Sequence, residues 1–270
     1  MIFFRKKFAL LVGFFFMVAS RMISLTVFYI NSFRKDKRIL YISDSRGFLV
    51  GSVVSYKNHF KNELISGLNR NYAVLPIINR KKHTTLLDGL DFLLNSHHKY
   101  DLVVFHLGVV DFSPRSKSSA ELIRRAKMSS FERKSRNRLA LSQKQVLHSF
   151  FSPKREIAIY EGEYTDSIAN EVYVAAVKDL IKNISNPIIA ITTNVVDLSW
   201  RGNYWRERPA NINNYLAFER QFWQDIGVPC ISLDDCAQSV RETTLDNIHP
   251  TNLGFQKLEQ LVREEIEKIY

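Results

Sequence analysis

From residue 38 onward, short apolar runs alternate with stretches whose apolar residues recur every three or four positions. Arg38–Ser43 (RILYIS) reads as a strand and Gly51–Arg70 as a helix; Tyr72–Ile78 and Thr84–His98 repeat the pair. Asp101–Leu107 (DLVVFHL) is apolar throughout, as a strand covered on both faces must be. Ser167–Ile184 has helical periodicity, with Asp166 or Ser167 placed to cap it. Pro187–Thr193 and Val228–Leu233 read as further strands, Asn211–Ile226 and Thr251–Tyr270 as further helices. Strands alternating with helices at these lengths predict a doubly wound α/β domain of about five parallel strands with helices on both faces. In such a domain ligands gather beyond the carboxyl ends of the strands, so chemistry is sought immediately after each one.

Two segments depart from this rhythm. Phe8 to Ile30 is almost wholly apolar, interrupted by Arg21, and is preceded by Arg5, Lys6 and Lys7. Its length meets the roughly 20 residues a hydrocarbon core requires, and an arginine near a helix end costs much less than one at the centre. Residues 1–33 are therefore expected to form an N-terminal hydrophobic helix acting as a membrane anchor or signal-like segment, the domain proper occupying 34–270. A single anchor in a bacterial inner membrane is the expectation. Basic residues on both flanks (Arg34, Lys35, Lys37 and Arg38 follow) leave the orientation open. The second departure, Ser113 to Tyr164, is strongly basic and is expected to be a helical insertion.

That insertion accounts for much of a net charge of +11. Such a balance favours anionic partners without choosing among them. No stacking-aromatic motif accompanies the charge, so nucleic acid is not the expected partner. Two cysteines, Cys230 and Cys236, make no disulfide framework and no zinc pattern. No phosphate-binding or dinucleotide glycine motif occurs and no metal set emerges; no cofactor is expected. His97, His98, His106 and His148 have no partner pattern and are read as structural.

Three pieces carry candidate chemistry, each beside a predicted element boundary. Ser43-Asp44-Ser45-Arg46-Gly47 follows the first strand, where a serine on a strand-to-helix turn can present its hydroxyl beside free backbone amides. Gly108-Val109-Val110-Asp111 follows the third. Asp246-Asn247-Ile248-His249-Pro250 precedes the last helix, and a carboxylate three residues from a histidine can hold Nδ1 while Nε2 faces a nucleophile. Each piece alone is common; the ordered set is not. After the fourth strand, Trp200, Tyr204, Trp205, Arg206 and Arg208 lie where they can either stack on a sugar or merely pack the loop.

The order and setting of these pieces resemble blocks I, III and V of the SGNH/GDSL hydrolase superfamily, over most of the chain from Arg38 onward apart from the basic insertion. The resemblance implies a flavodoxin-like fold, with Ser45 as nucleophile, His249 as base and Asp246 as its orienting carboxylate. It further implies a serine esterase or acyl hydrolase, with a small-molecule or glycan O-acyl (for instance O-acetyl) ester as substrate. An acyltransferase to a polysaccharide, and a non-catalytic glycan-binding or assembly protein on the same fold, are the alternatives. The run Gly108 to Arg115 also resembles a subgroup associated with bacterial surface-polysaccharide synthesis. Two departures bear on the oxyanion. The family's donating asparagine is replaced by Val110, and the stretch Asn79 to Thr85 lacks the usual glycine. Losing one such donor typically costs about 2.7–4 kcal/mol of transition-state stabilisation. Gly108, Asp111, Arg115, Asn79 and His83 are the residues expected to face the oxyanion or the substrate.

Overall fold

The computed structural model describes residues 21–47, 62–78, 83–135, 165–203 and 208–270. Five parallel strands form its centre: β1 (Arg38–Ser43), β2 (Ala73–Ile78), β3 (Leu102–His106), β4 (Ile188–Ile191) and β5 (Cys230–Ile231). They lie in the order β2-β1-β3-β4-β5. This is the flavodoxin-like order, in which the chain builds outward from β1 in one direction and then returns to build in the other. The crevice for ligands opens between the ends of β1 and β3.

Alternation along the strands sorts the core into two layers. Leu40, Ile42, Leu75, Val103, Phe105 and Ala190 point to one face, and Ile39, Tyr41, Val74, Val104, Ile189 and Ile191 to the other. On the first face lie α3 (Leu86–Asn95), α5 (Lys117–Ser135), α6 (Glu171–Lys182) and α7 (Ile212–Asp225), with a helix over residues 21–32, α1, at its margin. The second is covered by α2 (Glu63–Asn71) and the C-terminal α9 (Asn252–Ile269). The described residues also hold two single-turn helices, α4 (Val109–Phe112) after β3 and α8 (Val240–Thr243) before the last loop.

Local sequence explains most of the boundaries. Asn62 caps α2 by accepting from the Ile65 amide, and Thr85 with Asp88 forms a capping box on α3. Thr251 accepts from the Gly254 amide at the start of α9. One cap differs from expectation. Helix α6 starts at Glu171, four residues after Ser167, and its cap is Asn170, whose side chain accepts from the Tyr173 amide. Asp166 is paired through its backbone with Arg115, and the Ser167 carbonyl accepts from Arg124, so neither residue is free to begin a helix. The fifth strand is also shorter than Val228–Leu233, because Ser232 and Asp235 form a capping box that turns Leu233–Asp235 into a 3-10 turn.

The basic insertion enters as α5, rooted by Arg124 on the Ile168 and Ser167 carbonyls and by Lys127 on Asp88; residues 136–164 lie outside the described residues. So do the upstream part of the predicted N-terminal segment, residues 1–20, and residues 51–61 of the predicted second-element helix. Among the described residues no helix is long and apolar enough to cross a membrane.

Candidate active site

The turn after β1 is folded by its own aspartate. The Asp44 carboxylate accepts from the Arg46 backbone amide at 2.8 Å and from Arg46 Nε at 3.1 and 3.2 Å, closing Ser45–Gly47 into a 3-10 turn. Arg46 Nη1 donates to Thr193 Oγ1 at 2.8 Å, beyond the end of β4, and Asn62 Nδ2 donates to the Gly47 carbonyl at 2.7 Å. Asp44 and Arg46 are each 1% exposed, yet Ser45 between them is exposed. A clamp that buries both neighbours therefore lifts this one hydroxyl onto the surface of the crevice.

The C-terminal loop is built on the same principle. Asp246 Oδ1 accepts from the Ile248 and His249 amides at 3.2 and 2.9 Å, wrapping the chain around the carboxylate. That wrap brings His249 Nδ1 to 3.1 and 2.9 Å from the two Asp246 oxygens. Asn247 pays the backbone cost of the tight loop with φ of 72°, a left-handed conformation that asparagine tolerates better than most residues. Fully buried, it pins the loop to the β4 exit. Its amide donates to the Trp200 carbonyl at 2.5 Å, its side-chain oxygen accepts from the Asp197 amide, and its own carbonyl accepts from Asn194.

These two constructions meet. Ser45 Oγ lies 3.1 Å from His249 Nε2, across 204 residues of sequence. Burial alone would push the Asp246 carboxyl up. The hydrogen bonds and charge of His249, with Arg208 at 3.7 Å, outweigh it and hold the group below its ordinary value. Arg208 also donates to the Asp246 carbonyl at 3.0 Å. An ionised carboxylate on Nδ1 leaves Nε2 as the acceptor facing the serine hydroxyl, the arrangement required for a general base.

The other anticipated residues divide. Gly108 ends β3 at the crevice with φ of 129°, and a Cβ there would lie 2.3 Å from Glu219 Oε1; only glycine fits. Asp111 corrects the expectation of a substrate-facing carboxylate. It is 0% exposed, accepts from the Leu86 amide at 3.1 and 3.2 Å and from the Tyr173 hydroxyl, and so ties α3, α4 and α6 together. Burial pushes its carboxyl up to about 7. Arg115 donates to the Val110 carbonyl at 3.3 and 3.2 Å and pairs with Asp166, which roots the insertion. His83 sits in the turn before α3 with φ of 58°, and Asn79 lies outside the described residues. Tyr204, Trp205 and Arg206 of the aromatic loop lie outside them too.

Behind Gly108 is a group that the motif reading passed over. Glu219 of α7 is 0% exposed; its Oε2 accepts from the Thr193 amide at 3.1 Å while Oε1 abuts Gly108. With Arg46 and Thr193 it connects the β1, β3 and β4 exits in one buried network. Burial raises its carboxyl to about 7, against the attraction of Arg46. The signal was present in the sequence as a charge on an apolar stripe, Ile212, Leu216, Glu219 and Trp223 sharing the inward side of α7. His106, also fully buried, is bonded to the Tyr41 hydroxyl at 2.8 Å and held well below the ordinary histidine range by desolvation and by Arg46.

Comparison with known proteins returned no matching protein-family model and no matching curated protein. Among solved structures, the chain is similar to a lipase/acylhydrolase from Enterococcus faecalis, at 15% identity over 86% of this chain and 96% of that one, with a TM-score of 0.49. It is similar also to a carbohydrate acetylesterase from Sinorhizobium meliloti, at 12% identity over 87% and 100% of the two chains and a TM-score of 0.49. A GDSL-like lipase from Bacteroides thetaiotaomicron aligns at 12% identity over 87% and 89%, with a TM-score of 0.45.

Proposed function

We propose that this protein is a serine acyl-ester hydrolase whose nucleophile is Ser45, with His249 as general base and Asp246 as the carboxylate that orients and charges it. The observation that carries the reading is the unbroken hydrogen-bond chain from the exposed Ser45 hydroxyl through both nitrogens of His249 to an ionised Asp246. In the first step the Ser45 proton passes to Nε2 as Oγ bonds to the ester carbonyl carbon, and the carbonyl oxygen becomes an oxyanion. Collapse breaks the bond to the alcohol, which leaves with the proton from Nε2. Water then repeats the sequence on the acyl-enzyme, returning the serine hydroxyl and releasing the acid.

Val110 offers no side-chain donor, so the oxyanion is assigned to the backbone amides of Ser45 and Gly108, which border the crevice between β1 and β3. The motif resemblance supports an O-acyl group on a carbohydrate as substrate, and acyl transfer to a second sugar in place of water is the variant of the same chemistry. The apolar, basically flanked N-terminal sequence supports attachment to a membrane.

A fluorophosphonate probe should label the wild-type protein and fail to label Ser45→Ala and His249→Ala at equal folded concentration. Equal labelling of Ser45→Ala would refute the assignment. The non-catalytic reading, motivated by Val110, predicts that neither wild type nor variant turns over p-nitrophenyl acetate above solvent.

A further inference from the structure

Helix α1 is apolar on the side it turns away from the domain. Its inward side carries Ser24 and Phe28, both buried, together with Leu25, Asn31 and Ser32. Its outward side carries Met22, Ile23, Val27, Tyr29 and Ile30, between 38% and 64% exposed, and Phe33 follows at 89%. No residue from Met22 to Phe33 is charged. Two hydroxyls in this stretch turn back onto the helix itself, Thr26 to the Met22 carbonyl at 3.0 Å and Ser32 to the Phe28 carbonyl at 2.7 Å. A helix facing water carries polar residues on its outward side; contiguous exposed apolar surface of this kind marks a partner or a membrane.

The surroundings identify the partner. Exposed Arg21, Arg34, Arg70 and Lys99 lie at or beside the residues that flank or pack on α1, against exposed Asp36. A second copy laid on the same face would bring these cations together, whereas phospholipid headgroups complement them. In the sequence, the apolar run from Phe8 to Ser20 immediately precedes α1.

The position of α1 gives this surface a consequence for the site. Phe28 packs on Tyr100, which precedes β3, Asn31 donates to Asn69 near the end of α2, and β1 begins five residues after Phe33. All of these mark the amino ends of the strands. Ser45, Gly108 and Thr193 mark the carboxyl ends, and six residues of β1 separate the two by about 20 Å.

We propose that α1 lies in the headgroup–acyl boundary of a phospholipid bilayer and holds the Ser45 site on the far side of the domain. The ester is then presented from water, as on a glycan, rather than from within the bilayer. The substrate clause rests on the hydrolase reading above; the placement of α1 does not.

The test uses the full chain with Cys230→Ser and Cys236→Ser and a single cysteine carrying a bimane fluorophore, reconstituted into vesicles of brominated phosphatidylcholine with phosphatidylglycerol. Bimane at Ile23→Cys and Ile30→Cys should lose at least half its emission relative to unbrominated vesicles. At Val195→Cys and Leu198→Cys, exposed positions beside the Asn194–Asn247 contact, the loss should stay below a tenth. The same pattern should hold with Ser45→Ala, which separates failure of the orientation from failure of the chemistry. Unquenched positions 23 and 30 would overturn the lipid assignment. So would efficient disulfide formation between Ile30→Cys copies in detergent, which would make the partner a second chain. Quenching at 195 and 198 as strong as at 30 would overturn the outward-facing site.

Discussion

Replacing Glu219 by glutamine changes one buried proton-binding group between Gly108 and Thr193 and little else. The carboxyl is fully buried and raised from the ordinary 4.5 to about 7. Below pH 4.5 it is protonated in the folded and the unfolded chain alike, and the substitution is nearly silent there. Between 4.5 and 7 the unfolded chain releases the proton while the folded chain retains it, so wild-type stability falls with rising pH. At roughly 1.4 kcal/mol for each pH unit, the loss is complete above pH 7 and amounts to about 3 kcal/mol. Glutamine does not titrate. Its oxygen can still accept from the Thr193 amide, and its NH2 group lies where Oε1 abuts Gly108. Glu219→Gln is therefore expected to match wild type near pH 4.5 and to exceed it by about 3 kcal/mol at pH 8, less about 1 kcal/mol if the new amide hydrogens find no acceptor. Urea unfolding followed by tryptophan fluorescence at several pH values measures this directly, since Trp223 is buried in the core beside the site. A difference that is constant with pH, or that grows toward low pH, would refute the account of Glu219 as a carboxyl kept protonated by burial.

Asp246→Asn should leave the loop folded but lower turnover of p-nitrophenyl acetate by several orders of magnitude, of the kind expected when the imidazole loses its orienting charge; a fall of less than tenfold would remove Asp246 from the mechanism. Arg46→Met strands the buried Asp44 carboxylate and should cost about 3–5 kcal/mol in urea, most of which Asp44→Asn in the same chain restores. If the double variant is no more stable than the single, the clamp is not the source of the effect. Gly108→Ala meets Glu219 Oε1 and a forbidden φ together, so a loss of roughly 2 kcal/mol or more in melting or urea experiments is expected, and only part of it should return with Glu219→Ala.

Periodicity alone was enough to read the alternation of strands and helices here, because each strand is buried on both faces and each helix on one. The apolar pattern is thus a direct imprint of the layers. The one cap read from the sequence, Asp166 or Ser167, moved to Asn170, because pairing with the remote Arg115 and Arg124 holds those two residues outside the helix. The pairing of Asp246 with His249 was legible, since a three-residue wrap completes it without help from the rest of the fold. Asp111 was misread because its motif position resembles that of a site residue, while its partners, the Leu86 amide and the Tyr173 hydroxyl, come from helices 25 and 62 positions away.

Neighbours along the chain set the local devices: two aspartates that each fold their own turn, one presenting a serine and the other a histidine. Whether the two turns face each other was decided by the strand order, which carries a loop 204 residues distant to within 3.1 Å of the Ser45 hydroxyl. The burial of Arg46 and Glu219 was decided at the same level. A side chain's protonation and freedom depend on what packs against it from every direction, and in this protein those neighbours come from three strands and a helix that are remote along the chain.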